Sequence, residues 1–460
     1  MSLNPGQWKG TETPERPVHA EAEGSLASNR GHVSSWLFPA DARTRARRDR
    51  ILALCFLVLG VVLVARAARK EAGVLVHNQE WGARFLARED PYFDPAEGRR
   101  IHGPYPPSLA LMAAPLSVLP TRVARVCWSS AQVVALWVFF LLFRARIRRH
   151  WPELAPHASV LFALALLLVS RYLLRDTAGG GGNLLYSLLA LSGVELALDV
   201  RGGRAGLAGL PLALSLVLKP NLWPLFWLLA LRARWRAVAS TLGAGVLLFS
   251  LPGFYFGPRA YADLTRRWAS DVVSYGSLDD LHARDLVPDG LPSAKEGMNQ
   301  SLRESVYRLL RPPGDSGADD VHLLSVSPEV ALWVGRVLGL ALLLLASSTA
   351  WRARGELGEW LAVLAFLPLA LLLSPVTWKA HHVDLLPSFG GLLALAAAEV
   401  KVRRWLGPLL AFYWLVCDLF ADEIVGSTFR DFLQTLSIVA WMDVVLLLVL
   451  LRFVVRPARA

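Results

Sequence analysis

Sulfur is scarce in this chain, with three cysteines and four methionines in 460 residues. Cys55, Cys127 and Cys417 each sit inside an apolar run. That argues against a disulfide framework or a thiolate metal site and makes all three read as small buried hydrophobes. Zinc-finger, RRM and P-loop patterns are missing, so the excess of 48 basic over 37 acidic residues, a formal net charge of +11, points away from nucleic acid. On a chain this apolar it speaks of topology and anionic lipid. The ten-residue alternation of an outer-membrane barrel is absent as well. Nor do the two halves resemble each other, as those of many secondary transporters do.

What is abundant is apolar sequence. Hydrophobic residues make up 54% of the chain and 17 residues are tryptophan, with a mean hydropathy of +0.41, too apolar for a soluble enzyme of this length. Runs at 51–65, 126–143, 237–251 and 330–350 approach the ~20 residues a helix needs to cross a bilayer. Others follow at 159–174, 184–199, 357–374, 383–399, 405–420 and 434–451. The expected fold is all-α, a polytopic helical membrane domain over 51–455 with about twelve spans. Two of these, 207–218 and 222–231, form a short broken hairpin turning at "KPN". Residues 1–50, without apolar periodicity, read as a polar disordered tail, too long and polar before the first run to be a cleaved leader.

Arginine clusters at 43–50, 144–149, 201–204, 232–236, 352–354, 401–404 and 452–456 mark the cytoplasmic side of a cell membrane by the positive-inside rule. The N-terminus then lies inside, and loops 66–125, 175–183, 252–328, 375–382 and 421–433 lie outside. Arg66, Arg69, Lys70, Arg99, Arg100, Arg122, Arg125 and Arg175 fall outside too, against the usual bias. An outer face kept basic to hold an anionic group accounts for them better than an inverted topology, which strands more arginines than it rescues.

Five stretches on that outer side carry polar chemistry. Asn78 to Pro120 holds Glu80, Asp90 and Asp94, and its prolines 104, 106 and 107 set the entry of a short surface helix over Ser108 to Leu119. "RDTAGGGGNLLYSLLAL" reads either as backbone amides aimed at a phosphate from the helix that Asn183 opens, or as a flexible turn with an ordinary N-cap. In "LVLKPNLWP" Lys219 lies close to membrane depth between helix breakers, where an ionisable group is a functional candidate unless it snorkels to the interface. From Ser301, "SLRESVYRLL" predicts an amphipathic helix with Leu302, Val306 and Leu309 on one stripe. Last, "LSPVTWKAHHVDLLP" packs Lys379, His381, His382 and Asp384 at a helix entrance. Adjacent histidines project about 100° apart and lack the i, i+4 spacing of paired zinc ligands, so no metal and no cofactor is expected.

Taken in order, "EDPY", "PYPPSLALMAAPLSVLP", "GGGNLLYSLLAL", "AGLPLALSLVLKP", "MNQSLRESVYRLL" and "LSPVTWKAHHVDLLP" resemble the polyprenol-phosphate-mannose-dependent mannosyltransferase-like membrane glycosyltransferases of GT-C architecture, over residues 70 to 400. The resemblance implies a polyprenyl-phosphate-linked sugar as donor and a lipid or glycan as acceptor. Transfer then occurs on the non-cytoplasmic face by inverting single displacement, with an early acidic residue as base and membrane-edge cations on the phosphate. It further implies Lys219, His381 and His382 as phosphate contacts, with Lys379 and Arg122 as added charge at the same edge and Asn183 and Asn299 as contacts to the substrate. The family's early aspartate falls near Val74 here, so the base passes to Glu80, then Asp90, then Glu71, with Asp90 equally readable as a cap before Pro91. Loop 66–125 is the expected catalytic loop and 252–328 the acceptor side. A secondary transporter, a lipid flippase or an inactive relative is the competing reading.

Overall fold

The computed structural model describes residues 38–39, 41–70, 73–94, 99–100, 105–198, 204–274, 299–310, 323–420 and 422–455. The chain divides into two units, Met1–Ala53 and Leu54–Ala460. Most of the expected tail lies outside the described residues, but its last nine positions are helical, because α1 runs Ala42–Arg69. Asp41 starts this helix by accepting the Thr44 amide at 2.7 Å, an N-terminal cap.

The second unit is built almost wholly of helices, which follow the apolar runs. After α1 come α2 (Val74–Leu86), α3 (Ala110–Ser117), α4 (Thr121–His150), α5 (Ala158–Leu168) and α6 (Ser170–Gly179). Next are α7 (Asn183–Leu198), α8 (Gly209–Leu218), α9 (Trp223–Leu231), α10 (Trp235–Phe256), α11 (Pro258–Ser274) and α12 (Leu302–Leu310). The chain continues with α13 (Pro328–Trp351), α14 (Gly355–Leu373), α15 (Leu386–Ala398), α16 (Val400–Tyr413), α17 (Ser427–Thr435) and α18 (Ile438–Val455). Phe93 and Asp94 pair antiparallel with Arg100 and Arg99, a two-rung ladder beside the helices.

Every one of the twelve apolar runs holds a helix, but among the described residues six helices, α1, α4, α10, α13, α14 and α18, are long and apolar enough to cross a membrane. A seventh span exists if α5 and α6, bent by 69° at Val169, count as one. The run at 159–174 is thus a broken helix, and the rest of the expected count rests on shorter apolar helices. Burial separates the long ones. The apolar stretch of α1 is 17% buried and that of α14 is 78% buried, so α1 presents its side chains outward and α14 is the central post, packed against α18, α13 and α9. Cys55 on α1 and Cys127 on α4 are exposed and Cys417 alone is buried, because the first two point outward from spans rather than into the core.

The stretches 66–125 and 252–328 carry more structure, among the described residues, than their sequence suggests. Helix α3, preceded by a 3-10 turn at Pro107–Leu109, realises the short helix expected there. Gly82 packs α2 onto it, with no room for a side chain against the Ala113 carbonyl. In the stretch 252–328, α10 continues through Pro252 to Phe256 and α11 follows at once, separated by Gly257 at φ 99° with Pro258 opening the next helix. Leu302, Val306 and Leu309 of α12 are buried, the stripe its spacing predicts.

Candidate functional site

One group of elements brings polar side chains together inside this apolar frame. Helix α6 stops at Gly180, φ 72°, where the Gly180 and Gly181 amides close back on the Thr177 and Asp176 carbonyls at 3.2 and 3.0 Å, a left-handed stop that a Cβ would strain. Gly181 lies directly against the Asp176 carboxylate, with no space for a methyl group. Asp176 in turn accepts from Asn183 Nδ2 at 2.6 Å and from the Leu184 amide at 3.5 Å, so the carboxylate closing α6 also anchors the start of α7. The glycines serve this tight return of the chain on itself.

Lys219 reaches the same point from the end of α8. Its Nζ donates to Asn183 Oδ1 and lies 3.0 Å from His381 Nε2, with Asp384 and Asp176 in coulombic range. Ser187 of α7 donates to Asp384 Oδ1 at 2.5 Å. On the other side of the ring, the Trp378 amide donates to His381 Nδ1 at 3.4 Å. The His381 ring stacks on Trp378 at 6.2 Å between centroids. Lys219 is 7% exposed, Asn183 2%, and Asp176 and Asp384 1% each. These groups form one buried and internally satisfied network, a cation facing two carboxylates, which holds α6, α7, α8 and the 3-10 turn Lys379–Leu385 in register. Buried charge survives on such terms.

Three residues assigned to phosphate or substrate by sequence are engaged by other groups of the protein. His382 is fully buried. Its Nδ1 lies 3.2 Å from the Trp378 carbonyl, to which it must donate, and its Nε2 lies 2.9 Å from Asp443 Oδ2, so a single proton is held between ring and carboxylate. Tyr172 packs on one side of the ring, 5.1 Å between centroids. Asn183 has both ends of its amide engaged, as described. Asn299 spends its Nδ2 on the Pro375 carbonyl at 3.1 Å and its Oδ1 on the Ser301 and Thr377 amides at 3.0 and 2.9 Å, tying the α12 segment to the loop before Lys379.

Lys379 stands apart from these. It is 7% exposed, and among the described residues no acceptor pairs its ammonium. Burial, and then Arg171, Arg175 and Arg430 around it, push its pKa down to about 7. Arg175 also lies near Lys70, which burial, Arg175, Arg66 and Arg125 hold below the usual lysine range. The result is a basic arc running past α6 from Lys70 to Lys379. Its few carboxylates are local: Arg430 pairs with Asp431 at 2.7 Å, and Asp418 takes the Arg171 amide and Ser170 hydroxyl at 2.8 and 2.6 Å. Other arginines are paired with glutamates: Arg146 with Glu195, Arg149 with Glu356, and Arg232 and Arg234 with Glu359. Arg122 is exposed in the first turn of α4, whereas Arg125, one turn on, is 5% exposed and turned inward.

The candidate bases fare differently. Asp90 Oδ1 accepts the Tyr92 amide at 2.9 Å and its Oδ2 pairs with Arg267, so this carboxylate serves the turn, the cap reading of the sequence. Glu80 lies on the face of α2 opposite Leu75, Gln79 and Gly82. It is 65% exposed, with His77 Nδ1 3.6 Å away, and does not join the Lys219 network. Glu71 lies outside the described residues. Val74 begins α2 beside Gly73, which abuts the Gly179 carbonyl closely enough that a Cβ would sit 2.8 Å from it. Among the described residues no three His, Cys, Asp or Glu side chains converge to hold a metal ion.

Sequence reading missed Asp176 and Asp443, and saw Asp384 only as part of a polar cluster. Asp176, seven residues before Asn183 across a glycine run, was the one with a local signal. Arg125, Arg175 and Lys70 did stand out, as cations on the wrong side of the topology rule. Arg171 and Arg430 carried no signal, since an arginine beside an apolar run is ordinary.

Long apolar helices carrying this buried ionised network define a polytopic membrane protein with a polar site built into its helices. Residues 104–375 match glycosyltransferase family 87, more than half the chain, and the protein belongs to that family. It is a membrane glycosyltransferase, which decides against the transporter reading. The chain is 28% identical over 323 residues, 68% of it and 67% of the relative, to the polyprenol-phosphate-mannose-dependent alpha-(1-2)-phosphatidylinositol pentamannoside mannosyltransferase of Mycolicibacterium smegmatis. It is 31% identical over 157 residues, 34% of each chain, to an alpha-(1->3)-arabinofuranosyltransferase of Mycobacterium tuberculosis. No solved structure matches it.

Proposed function

We propose that the protein transfers mannose from a polyprenyl-phosphate carrier to a lipid or glycan acceptor on the non-cytoplasmic face of the cell membrane. The observation that carries this is the basic arc at Lys379. A departing polyprenyl phosphate needs cations where its charge develops, and Lys379, Arg171, Arg175 and Arg430 supply them beside the Trp378–His381 stack. Lys219 contributes by holding that stack in place rather than by meeting the phosphate, because its charge is already answered by Asp176 and Asp384. The acceptor oxygen attacks the anomeric carbon as the bond to the phosphate oxygen breaks. The phosphate leaves with the electron pair, the configuration inverts, and the acceptor proton passes to a carboxylate. Glu80 is the base in this reading, since its carboxylate is open to an acceptor and Asp90 is engaged elsewhere.

The named substrate of the mycolicibacterial relative supports mannose and a polyprenyl carrier, and the positive-inside rule supports the outward-facing site. The arabinofuranosyltransferase relative favours a second reading, in which the same carrier phosphate brings a pentose. The test is transfer from radiolabelled polyprenyl-phosphate mannose and polyprenyl-phosphate arabinofuranose by the purified protein in lipid, beside Glu80→Gln. Mannose transfer that falls about 10²–10⁴-fold in the variant is expected. Full activity of Glu80→Gln removes that residue from the chemistry, and preference for the pentose carrier replaces the donor.

A further inference from the structure

Helix α18 carries a single ionisable residue in an otherwise apolar run: in "IVAWMDVVLLLVLL", residues 438–451, that residue is Asp443. A carboxylate in a span is costly and is kept where a partner or a task requires it. Asp443 is fully buried, and its Oδ1 has no hydrogen-bond partner among the described residues. Its hydrogen bonding goes through Oδ2, which lies 2.9 Å from His382 Nε2. The other ring nitrogen lies 3.2 Å from the Trp378 carbonyl, which also accepts the His381 amide at 2.8 Å. That carbonyl belongs to the peptide plane that ends on the Lys379 Cα. Fixing it therefore fixes the direction in which the Lys379 side chain leaves the backbone. Tyr172 meets the same ring, 5.1 Å between centroids, from α6, the helix that carries Arg171 and Arg175. At His382, then, Lys379 and those arginines are held relative to one another.

The turn needs such a tie. Lys379–Leu385 is a 3-10 helix of seven residues, about twice the usual run for a geometry whose own hydrogen bonds are poor. Lys219 holds it at His381 and Ser187 holds it at Asp384; Asp443 supplies a third hold, at His382. We infer that Asp443 is a positioning residue for the donor phosphate: through His382 and the Trp378 carbonyl it keeps the Lys379 ammonium among the arginines where the carrier phosphate departs. The inference rests on the proposed function for the presence of that phosphate. The link needs a hydrogen bond rather than a carboxylate as such. In Asp443→Asn the amide nitrogen donates to Nε2 while Nδ1 still donates to Trp378, so both bonds persist. In Asp443→Leu, close in shape, Nε2 loses its partner and the ring is free to turn.

The test is a double-mutant cycle on the affinity of farnesyl phosphate, a short carrier that keeps both the phosphate and an isoprenoid chain, for the full-length protein in phosphatidylcholine nanodiscs. Asp443→Leu should weaken binding about tenfold, the loss expected of one hydrogen bond to a charged group. Asp443→Asn should stay within about twofold of wild type. In a Lys379→Gln background Asp443→Leu should change affinity by less than about twofold, because the residue it acts through is gone. Equal losses in the two backgrounds overturn the inference, since they signify a general loosening of the fold. So does Asp443→Leu that binds as wild type, or Asp443→Asn that binds as poorly as Asp443→Leu. If Asp443→Leu does not survive purification, His382→Phe cuts the same link from the other end and takes its place in the cycle. A wild-type protein that binds no farnesyl phosphate overturns the proposed function and the inference with it, whereas binding that ignores Asp443 overturns the inference alone.

Discussion

Replacing Lys219 by methionine separates the two roles this buried lysine can have, charge balance and contact with a phosphate. In the structure Lys219 is 7% exposed and faces Asp176 and Asp384, each 1% exposed, while its Nζ is bonded to Asn183 and His381. Methionine fills much of the same volume but leaves two buried carboxylates facing no cation. Breaking a buried charge pair from one side costs about 3–5 kcal/mol. At the ~2 °C per kcal/mol of larger chains, the midpoint of thermal unfolding in detergent falls by about 6–10 °C. Adding Asp384→Asn returns the site to its original net charge, and Ser187 still finds an oxygen acceptor there. The double variant should therefore recover at least half the loss while transfer stays impaired, because the Trp378–His381 stack has lost its anchor. A single variant with an unchanged midpoint, or a double variant no more stable than the single, refutes the charge-balance argument. It would return Lys219 to a direct role on the phosphate.

Two further outcomes follow from the same geometry. Lys379, held down to about 7 by burial and by Arg171, Arg175 and Arg430, is charged below that pH and neutral above it. Donor affinity therefore falls as pH rises through 7: by pH 8 the charged fraction is about a tenth, and KM for the carrier should rise up to about tenfold between pH 6 and 8. Lys379→Arg, which keeps its charge throughout, flattens that profile; a wild-type KM that ignores pH removes Lys379 from the donor site. Gly181→Ala forces a methyl group onto the Asp176 carboxylate and should cost about 1–3 kcal/mol, with transfer reduced alongside. A variant with wild-type thermal stability and turnover would show that the Asp176–Asn183 link carries no weight.

The helices were legible because their cause is local. An apolar run of sufficient length must hide its backbone polar groups, and a helix does so within the segment itself. All twelve runs accordingly hold helices, and the stripe of Leu302, Val306 and Leu309 is buried as its spacing demands. The break at Val169 was not legible, since nothing in "LLLVSRYLL" disrupts helical propensity and the bend of 69° is set by what α5 and α6 pack against. Lys219 and His381 were singled out by residue type and do meet, 162 positions apart in the chain. Their partners decide what that meeting means. Asp176 and Asp384 set Lys219 against two buried carboxylates, and Asp443 gives His382 a buried partner.

By itself, then, the sequence determined the membrane class, the positions of the helices, the family and the list of ionisable residues, because each depends on composition, period or order along the chain. Only the tertiary structure decided which of those charges are already answered and which are left for a ligand. That depends on long-range neighbours, and a charge's function in a low-dielectric interior is set by what stands within a few ångströms of it.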